Sequence, residues 1–398
     1  MSGASATMDA VLAVNAGSSS LKFALYQHDG RDIHAARLSG NIEGLEPGGA
    51  PVIRIAGMAG GEPIGAGGDV FARALTSLET LLKRHTGGLR IDAIAHRIVH
   101  GGERFSESVL LDDDTLAYLE TLSPLAPLHQ PHNLEGVHAF RRSFPGLPQV
   151  GCFDTAFHAT LPQAEHMFAL PQALRNQGIR RYGFHGLSYR FVAGSLLAHT
   201  PRAAGRMLIA HLGNGASACA VRDGKSIATT MGLSALDGLM MGTRSGAIDP
   251  GVLLHLLRQG WDIERLERLL YRESGLRGVS GVSADMRTLH ASEEPDARLA
   301  VDLFIHRLVR ECGALTACLG GLDVLGFTGG IGEHDAEVRK RACDALGYLG
   351  VRIDDAANAA ADGNAVTPIH ATGSAVEIWV VPTDEGRIAA RDAVRLIG

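Results

Sequence analysis

Arg97 lies in HRIVHGG, an otherwise apolar run, and Arg244 lies in MGTRSGAIDP, where small neighbours leave its side chain room to reach a ligand. A guanidinium offers a planar fork that matches carboxylate and phosphate, and it stays charged at every relevant pH. Asp154 and His158 come in FDTAFH, directly after apolar residues, and His185 comes in YGFHG. Taken one at a time, each also reads as a surface ion pair or as a buried histidine with its hydrogen bonds met. Glycine turns close apolar strands at 17–20, 211–215 and 329–332. Such turns let backbone N–H groups converge on one anion. Asn15, at the end of the first strand, is placed to orient a metal-bound water. Glu385, in Thr383-Asp384-Glu385, follows the last strand. It reads equally as a magnesium-shell acid or as an acid at a helix N-terminus.

Several familiar chemistries are excluded. Gly224-Lys225-Ser226 supplies the end of a P-loop, but Cys219 stands where its first glycine is required, and the lone GxG at 213–215 is no dinucleotide fingerprint. His96 and His100 lie four apart but lack the glutamate of H-E-x-x-H and fall in a strand-like run, where they do not converge on a metal.

The elements that position these residues include a repeat. VLAVNAGSSSLKFALY at 11–26 and MLIAHLGNGASACAVR at 207–222 are both strand, turn and strand, and superposing them puts Gly17 on Gly213 and Ala24 on Ala220. Two copies predict two related lobes gripping one polyphosphate. With 398 residues, two domains are expected. Helices are predicted at 70–84, 112–123, 133–143, 251–260, 262–274, 297–319, 336–346 and 386–397, with strands at 91–99, 150–153, 323–327 and 376–381. Mixed strands and helices predict an α/β chain. The boundary is expected near 152–154, giving an N-terminal lobe of 1–152 plus 386–398 and a C-terminal lobe of 153–385.

Composition narrows the class. A formal charge of −6 without a basic stripe argues against a nucleic-acid partner. Five scattered cysteines without a C-x-x-C pair indicate neither disulfides nor zinc and fit a reducing cytoplasm. MSGASATMDA does not read as a secretory leader, residues 1–8 read as an unstructured lead-in, and no apolar run is long enough for a bilayer.

The strings NAGSSSLKF, HRIVHGGERF, LAPLHQPHNL, FDTAFHATLP, RRYGFHGLSYRFV, HLGNGAS, MGTRSGAIDPG, GGIGEH and PTDEGRIAARD, in that order, resemble the acetate kinase family over residues 15 to 392. The resemblance implies two duplicated actin-like (ribonuclease H-like) α/β lobes with ATP in a cleft, a likeness shared with sugar kinases and heat-shock chaperones. It implies reversible transfer of the γ-phosphoryl group of ATP to acetate, giving acetyl phosphate and ADP, with Mg2+ or Mn2+, in a homodimer. Matched motif by motif, the metal-associated residues are Asn15 and Glu385. Arg97 binds the acid, Asp154 is the catalytic aspartate, and His185 and Arg244 stabilise the transition state. His129 matches the histidine of LAPLH. The acyl pocket matches Val99, Leu128 and Phe184, joined by Ala235. The ATP contacts match Lys22, then His211, Leu212, Gly213, Asn214 and Gly215, then Asp285, Met286 and Arg287, and finally Gly330, Ile331, Gly332, Glu333 and His334.

In the implied reaction the attacking carboxylate is already ionised at neutral pH, so no general base is required. Asp154 is therefore expected to orient an arginine or a metal-bound water. The chain departs from the family pattern at three places. Ala235 replaces a proline beside the acyl methyl, which widens the pocket and predicts propionate turnover. His334 and Asp384 each replace an asparagine. A propionate or butyrate kinase of the same fold is the alternative enzyme reading. A nucleotide switch without an acid substrate, the reading from another class, would have no need of Arg97.

Overall fold

The structure, a computed structural model, describes residues 9–46, 48–65, 67, 69–85 and 89–398; the lead-in expected at 1–8 lies outside the described residues. The chain divides into two compact units, Met1–Ala156 with Asp384–Gly398, and Phe157–Thr383.

The first unit is built on β1 (Asp9–Ala16), β2 (Ser20–His28), β3 (Ile33–Glu43), β4 (Val52–Ile55), β5 (Glu62–Pro63), β6 (Arg90–Ile98), β7 (Val109–Leu110) and β8 (Gln149–Phe153). They form one sheet in the order β5-β4-β3-β2-β1-β6-β8-β7. β1, β6 and β8 run parallel, while β2, β3 and β7 are antiparallel to their neighbours. Alternation along β1 sends Leu12, Val14 and Ala16 to one face. There they pack under Leu75, Leu78 and Leu82 of the helix Val70–His85 and Phe140 of the helix Gln130–Ser143. The opposite face is covered by the C-terminal helix Glu385–Ile397, against whose Ala389 carbonyl the Cys152 thiol lies at 3.9 Å.

The second unit holds β9 (Arg206–Leu212), β10 (Ala216–Arg222), β11 (Lys225–Thr229), β12 (Val324–Thr328), β13 (Thr367–Pro368) and β14 (Glu377–Val380), in the order β11-β10-β9-β12-β14-β13. Orientation also repeats: β9, β12 and β14 are parallel, and β10, β11 and β13 antiparallel to their neighbours. Strand for strand this is the β3-β2-β1-β6-β8-β7 part of the first sheet. The helix Gly186–His199 covers it through Tyr189, Val192 and Leu196, against Met207, Ile209, Cys219 and Val324.

Each sheet is covered by a helix that follows the other sheet in the chain. Gly186–His199 comes after β8 yet packs on β9–β12, and Glu385–Ile397 comes after β14 yet packs on β1 and β6. The two repeats have exchanged terminal helices.

The structure departs from the sequence reading at four points. The first unit extends past 152 to Ala156 and resumes at Asp384 rather than 386, so Asp154 and Glu385 belong to it. Hydrogen bonds explain this: the Asp154 N–H donates to the Ile98 carbonyl at 3.0 Å, and the Tyr26 hydroxyl donates to Asp384 at 2.5 Å. The turns differ by one residue, since Ala16 pairs with Leu21 but Leu212 pairs with Ala216. Gly17 still matches Gly213, but beyond the turn Ala24 matches Cys219 rather than Ala220. The glycines at 329–332 form the first turns of a short helix, Gly329–His334. The helix Gly186–His199, absent from the predicted elements, is apolar nearly all round, with Leu187, Tyr189, Val192, Ala193 and Leu196 buried, so no amphipathic stripe marks it.

Candidate active site

In the first unit, Asn15, Arg97 and Asp154 all point to the face covered by the C-terminal helix. Arg97 is opposite Cys152 in the β6–β8 register, and Asn15 follows Val14, which pairs with His96. All three stand at the carboxyl ends of parallel strands, where open α/β sheets place ligands. Arg97 donates from Nε to Asp154 Oδ1 at 3.0 Å, from Nη2 to Asp154 Oδ2, and from Nη1 to Asn15 Oδ1 at 3.3 Å. Glu385 Oε2 lies 3.7 Å from Arg97 Nε. Asp154 is fully buried, whereas Arg97 keeps 22% of its side chain exposed, so the fork has an open side. Burial opposes the Arg97 charge, but Asp154 and Glu385 outweigh it and hold the guanidinium pKa above its ordinary value. Lys22 is exposed on β2 directly opposite Asn15, hence on the same face.

Asp384 is not a further acid at this cluster. It caps the C-terminal helix by accepting from the Arg387 N–H at 3.0 Å and also accepts from Tyr26. Burial, then Asp384, push the Tyr26 hydroxyl well above its ordinary pKa, so it stays a donor.

The QPHN segment after His129 is a brace. Asn133 donates to the Ala16 carbonyl at 2.6 Å and accepts from the Val99 N–H at 2.9 Å; Gln130 accepts from the His100 N–H and donates to its carbonyl. These bonds tie the ends of β1 and β6 together. His129 is half-buried at the N-cap of the same helix. Buried His96 and His100 are both pushed down to about 4 by desolvation and are neutral at pH 7.

In the second unit, His185 is the N-cap of Gly186–His199 and sits at φ 59, ψ 24. Among the described residues only His185 and Asp223 are non-glycines with positive φ. Such a conformation costs about 1–3 kcal/mol and persists only where the surroundings hold it. His185 Nδ1 bonds to Ser217 Oγ at 2.8 Å, and Ser217 also meets the Tyr189 hydroxyl. The ring stacks on His211 with centroids 4.3 Å apart, and His211 Nδ1 bonds to Ser188 Oγ at 2.8 Å. A β-carbon on Gly215 would lie 3.4 Å from His185 Nε2 and 3.9 Å from Arg244 Nη1. Both groups thus converge on the turn after β9. Arg244 is braced by donating to the Ala235 carbonyl at 3.0 Å.

Next to this turn opens a cavity of about 940 Å3, large enough for a nucleoside. Gly213, Asn214, Asp285, Met286, Arg287, Gly330, Ile331 and His334 line it, all among the residues the sequence reading expects to meet ATP. Lys22, His211, Leu212, Gly215, Gly332 and Glu333 do not. Leu212 is in the core, and Glu333 accepts from the N–H groups of Gly329 and Thr383 at 2.8 and 3.1 Å, bracing the turn from behind. Gly329 is required there, because a β-carbon would lie 2.7 Å from the Leu212 carbonyl oxygen. His334 is fixed by Asp362, its Nδ1 lying 2.8 Å from that carbonyl.

The residues expected at an acyl pocket belong to different units. Val99 is buried and Leu128 half-buried in the first; Phe184 is buried and Ala235 half-buried in the second. Sequence reasoning missed Ser217, Ser188 and His290. The serines are single hydroxyls among small residues and carry no pattern. His290 lines the cavity, held by Asp335 at 2.9 Å and Glu337 at 3.5 Å, partners from another helix. Among the described residues no three His, Cys, Asp or Glu side chains gather as a metal site, and no helix is long and apolar enough to cross a membrane.

Comparison with known proteins agrees along the whole chain. Residues 10–391 match the acetokinase family. Acetate kinase of Rhodopseudomonas palustris is 48% identical, with 98% of each chain covered, and propionate kinase of Yersinia enterocolitica is 44% identical, covering 97% of this chain and 95% of its own. Among solved structures, acetate kinase of Porphyromonas gingivalis superposes with a TM-score of 0.86 at 37% identity, over 98% of this chain and all of that one. A propionate kinase from Francisella tularensis gives 0.89 at 37% identity with the same coverage.

Proposed function

The chain belongs to the acetokinase family, and from that premise we propose how it moves a phosphoryl group from ATP to acetate. The observation that carries this reading is the Arg97 fork, locked by buried Asp154 and open on one side. It is a receptor prepared for a small carboxylate, and its alignment costs nothing at the moment of reaction.

Acetate is ionised at neutral pH, so its oxygen attacks without losing a proton. The new bond joins that oxygen to the γ-phosphorus. The bond from phosphorus to the β,γ-bridging oxygen breaks, and its electron pair stays on ADP. Asp154 does not accept a proton; it holds Arg97 toward the acid. His185 Nε2 and Arg244 Nη1, beside Gly215, are the groups that meet the oxygens of the transferred phosphoryl. There the difficulty is gathering negative charge rather than making a nucleophile. Asn214, Gly213 and Gly330 hold the polyphosphate, and the 940 Å3 cavity takes the nucleoside.

Asn15 and Glu385 fit a hard divalent cation. Both offer oxygen beside Arg97, and a site with so few protein ligands suits Mg2+, which completes its shell with phosphates and waters. Bound there, Mg2+ or Mn2+ would supply charge neutralisation to the phosphates.

Propionate is the second reading, favoured by Ala235 at the acyl pocket and by the propionate kinases among the relatives. A homodimer is supported by the helix Pro250–Arg258, which has no buried residue and leaves Val252, Leu254 and Leu257 exposed, as are Ile248 and Ile263 in the flanking chain. Hydroxylamine trapping of the acyl phosphate, with ATP and each acid from formate to butyrate, tests the reaction. Acetate should give the highest yield with propionate measurable. ATP hydrolysis that needs no acid, without trapped product, would sink the proposal.

A further inference from the structure

His158 is 1% exposed and lies outside the set of residues that meet substrate. Its Nε2 lies 2.9 Å from the Phe184 carbonyl oxygen and its Nδ1 2.8 Å from Ser226 Oγ. A carbonyl only accepts, so Nε2 carries the hydrogen. Burial pushes the imidazole down to about 4, so the neutral form is present at pH 7, and Nδ1 accepts from the serine hydroxyl. Ser226 is steadied in turn by Cys219, whose sulfur lies 3.3 Å from its oxygen.

The carbonyl so held belongs to the peptide that enters His185, which lies in the left-handed region at φ 59. On the other side of this turn, the N–H groups of Tyr182 and Gly183 both donate to the Gly232 carbonyl, at 3.0 and 3.3 Å. His158 also fixes the residue at 183: with φ +76, a β-carbon there would lie 2.6 Å from the His158 ring. The turn is thus gripped from two sides, and the grip ends at the His185 ring beside Gly215.

We propose that His158 is a positioning residue for phosphoryl transfer: by donating to the Phe184 carbonyl it holds the strained His185 with Nε2 aimed at the phosphate turn. The proposal rests on the reading that His185 acts on the transferred group. It assigns FDTAFH two tasks in two units, with Asp154 fixing Arg97 and His158 fixing His185.

Glutamine and asparagine separate this role from simple packing. The amide nitrogen of glutamine falls near the position of imidazole Nε2, that of asparagine near Nδ1. His158→Gln should therefore keep kcat within about threefold, whereas His158→Asn should lower it by about ten- to a hundredfold, the scale of a small misplacement. KM for ATP and acetate should stay within about twofold in both, since the ground-state contacts lie elsewhere. In a His185→Ala background, His158→Asn should change kcat by less than about twofold, because both act through one group. Ser226→Ala, which removes only the hydroxyl on Nδ1, gives the same reading in a smaller measure should His158→Asn not fold. Equal loss from His158→Asn with and without His185 would overturn the proposal while leaving the reading of His185 intact. An unchanged kcat in His185→Ala itself would overturn that reading, and the proposal with it.

Discussion

At the carboxyl end of β1 the chain carries Asn15 and Lys22, joined across the sheet by Arg97, Asp154 and Glu385. At the matching end of β9 it carries His211, Asn214 and Ser217, joined by Thr328 and the glycines after β12. The strand order and directions are the same. The first cluster consists mostly of formal charges locked in ion pairs; the second, Arg244 apart, consists of imidazole rings, hydroxyls and backbone N–H groups. A fork of charge suits one small carboxylate, and a row of backbone donors suits an extended polyphosphate. On the proposed reading, the difference teaches that the duplicated framework sets where a ligand would sit, while side chains at equivalent strand ends decide which anion it would be.

The contrast breaks most sharply at the ion pair. Arg97→Ala and Asp154→Ala should each lower kcat/KM for acetate by about a thousandfold or more, and the double variant should be little worse than the poorer single one. Steady-state rates across the acetate range give the comparison. Additive losses would mean that Asp154 does more than hold the arginine. In the second unit, Arg244→Ala and His185→Ala should each cost about a hundredfold in kcat with KM for acetate within about threefold. A rise in KM without loss of kcat would reassign them to ground-state binding.

Acid should separate the units by stability. His96 and His100 in the first and His158 in the second are buried and neutral, with pKa values lowered to about 4. Their stabilisation is complete above the unfolded value near 6.5. It falls as pH drops toward 4, by about 1.4 kcal/mol per pH unit for each imidazole. The first unit should therefore lose hydrogen-exchange protection at higher pH than the second. Asp323 in the second, lowered to about 2 by its bonds from Arg206, adds a loss only below its unfolded value of 3.8. Simultaneous opening of both sheets at every pH would contradict this. The smallest effect lies at the acyl pocket. Ala235→Pro should raise the acetate-to-propionate ratio of kcat/KM by about three- to tenfold, the worth of part of a methylene contact. An unchanged ratio would place the methyl elsewhere.

Much of this was legible in the sequence where local signals are strong. The strand–turn–strand repeat announced two like units, and the nine motifs announced the family. The apolar runs ending at Ile98 and Phe153 placed Arg97 and Asp154 at strand ends. The partners of these groups were not legible. Nothing in SYRFV or GNGAS says that Ser188 meets His211 or that Ser217 meets His185, because those bonds depend on how a helix seats on a sheet. The one-residue slip after Ala16 was invisible because Ala24 and Ala220 make an attractive match in sequence, whereas pairing obeys turn length. The boundary at Ala156 escaped for a similar reason, since it is set by bonds to Ile98 and Tyr26 from segments remote in the chain.

The exchange of terminal helices bears on how the protein is made. The second unit is one unbroken stretch, Phe157–Thr383, but the first needs residues from both ends of the chain. The first sheet to leave the ribosome thus gains its covering helix late, because Glu385–Ile397 is translated after the second unit. Until then the Asn15 and Arg97 face of that sheet lacks the helix that covers it. On the reading proposed above, the acid and metal cluster is therefore completed only once Glu385 has been made, whereas the glycine turns of the second unit are in place earlier.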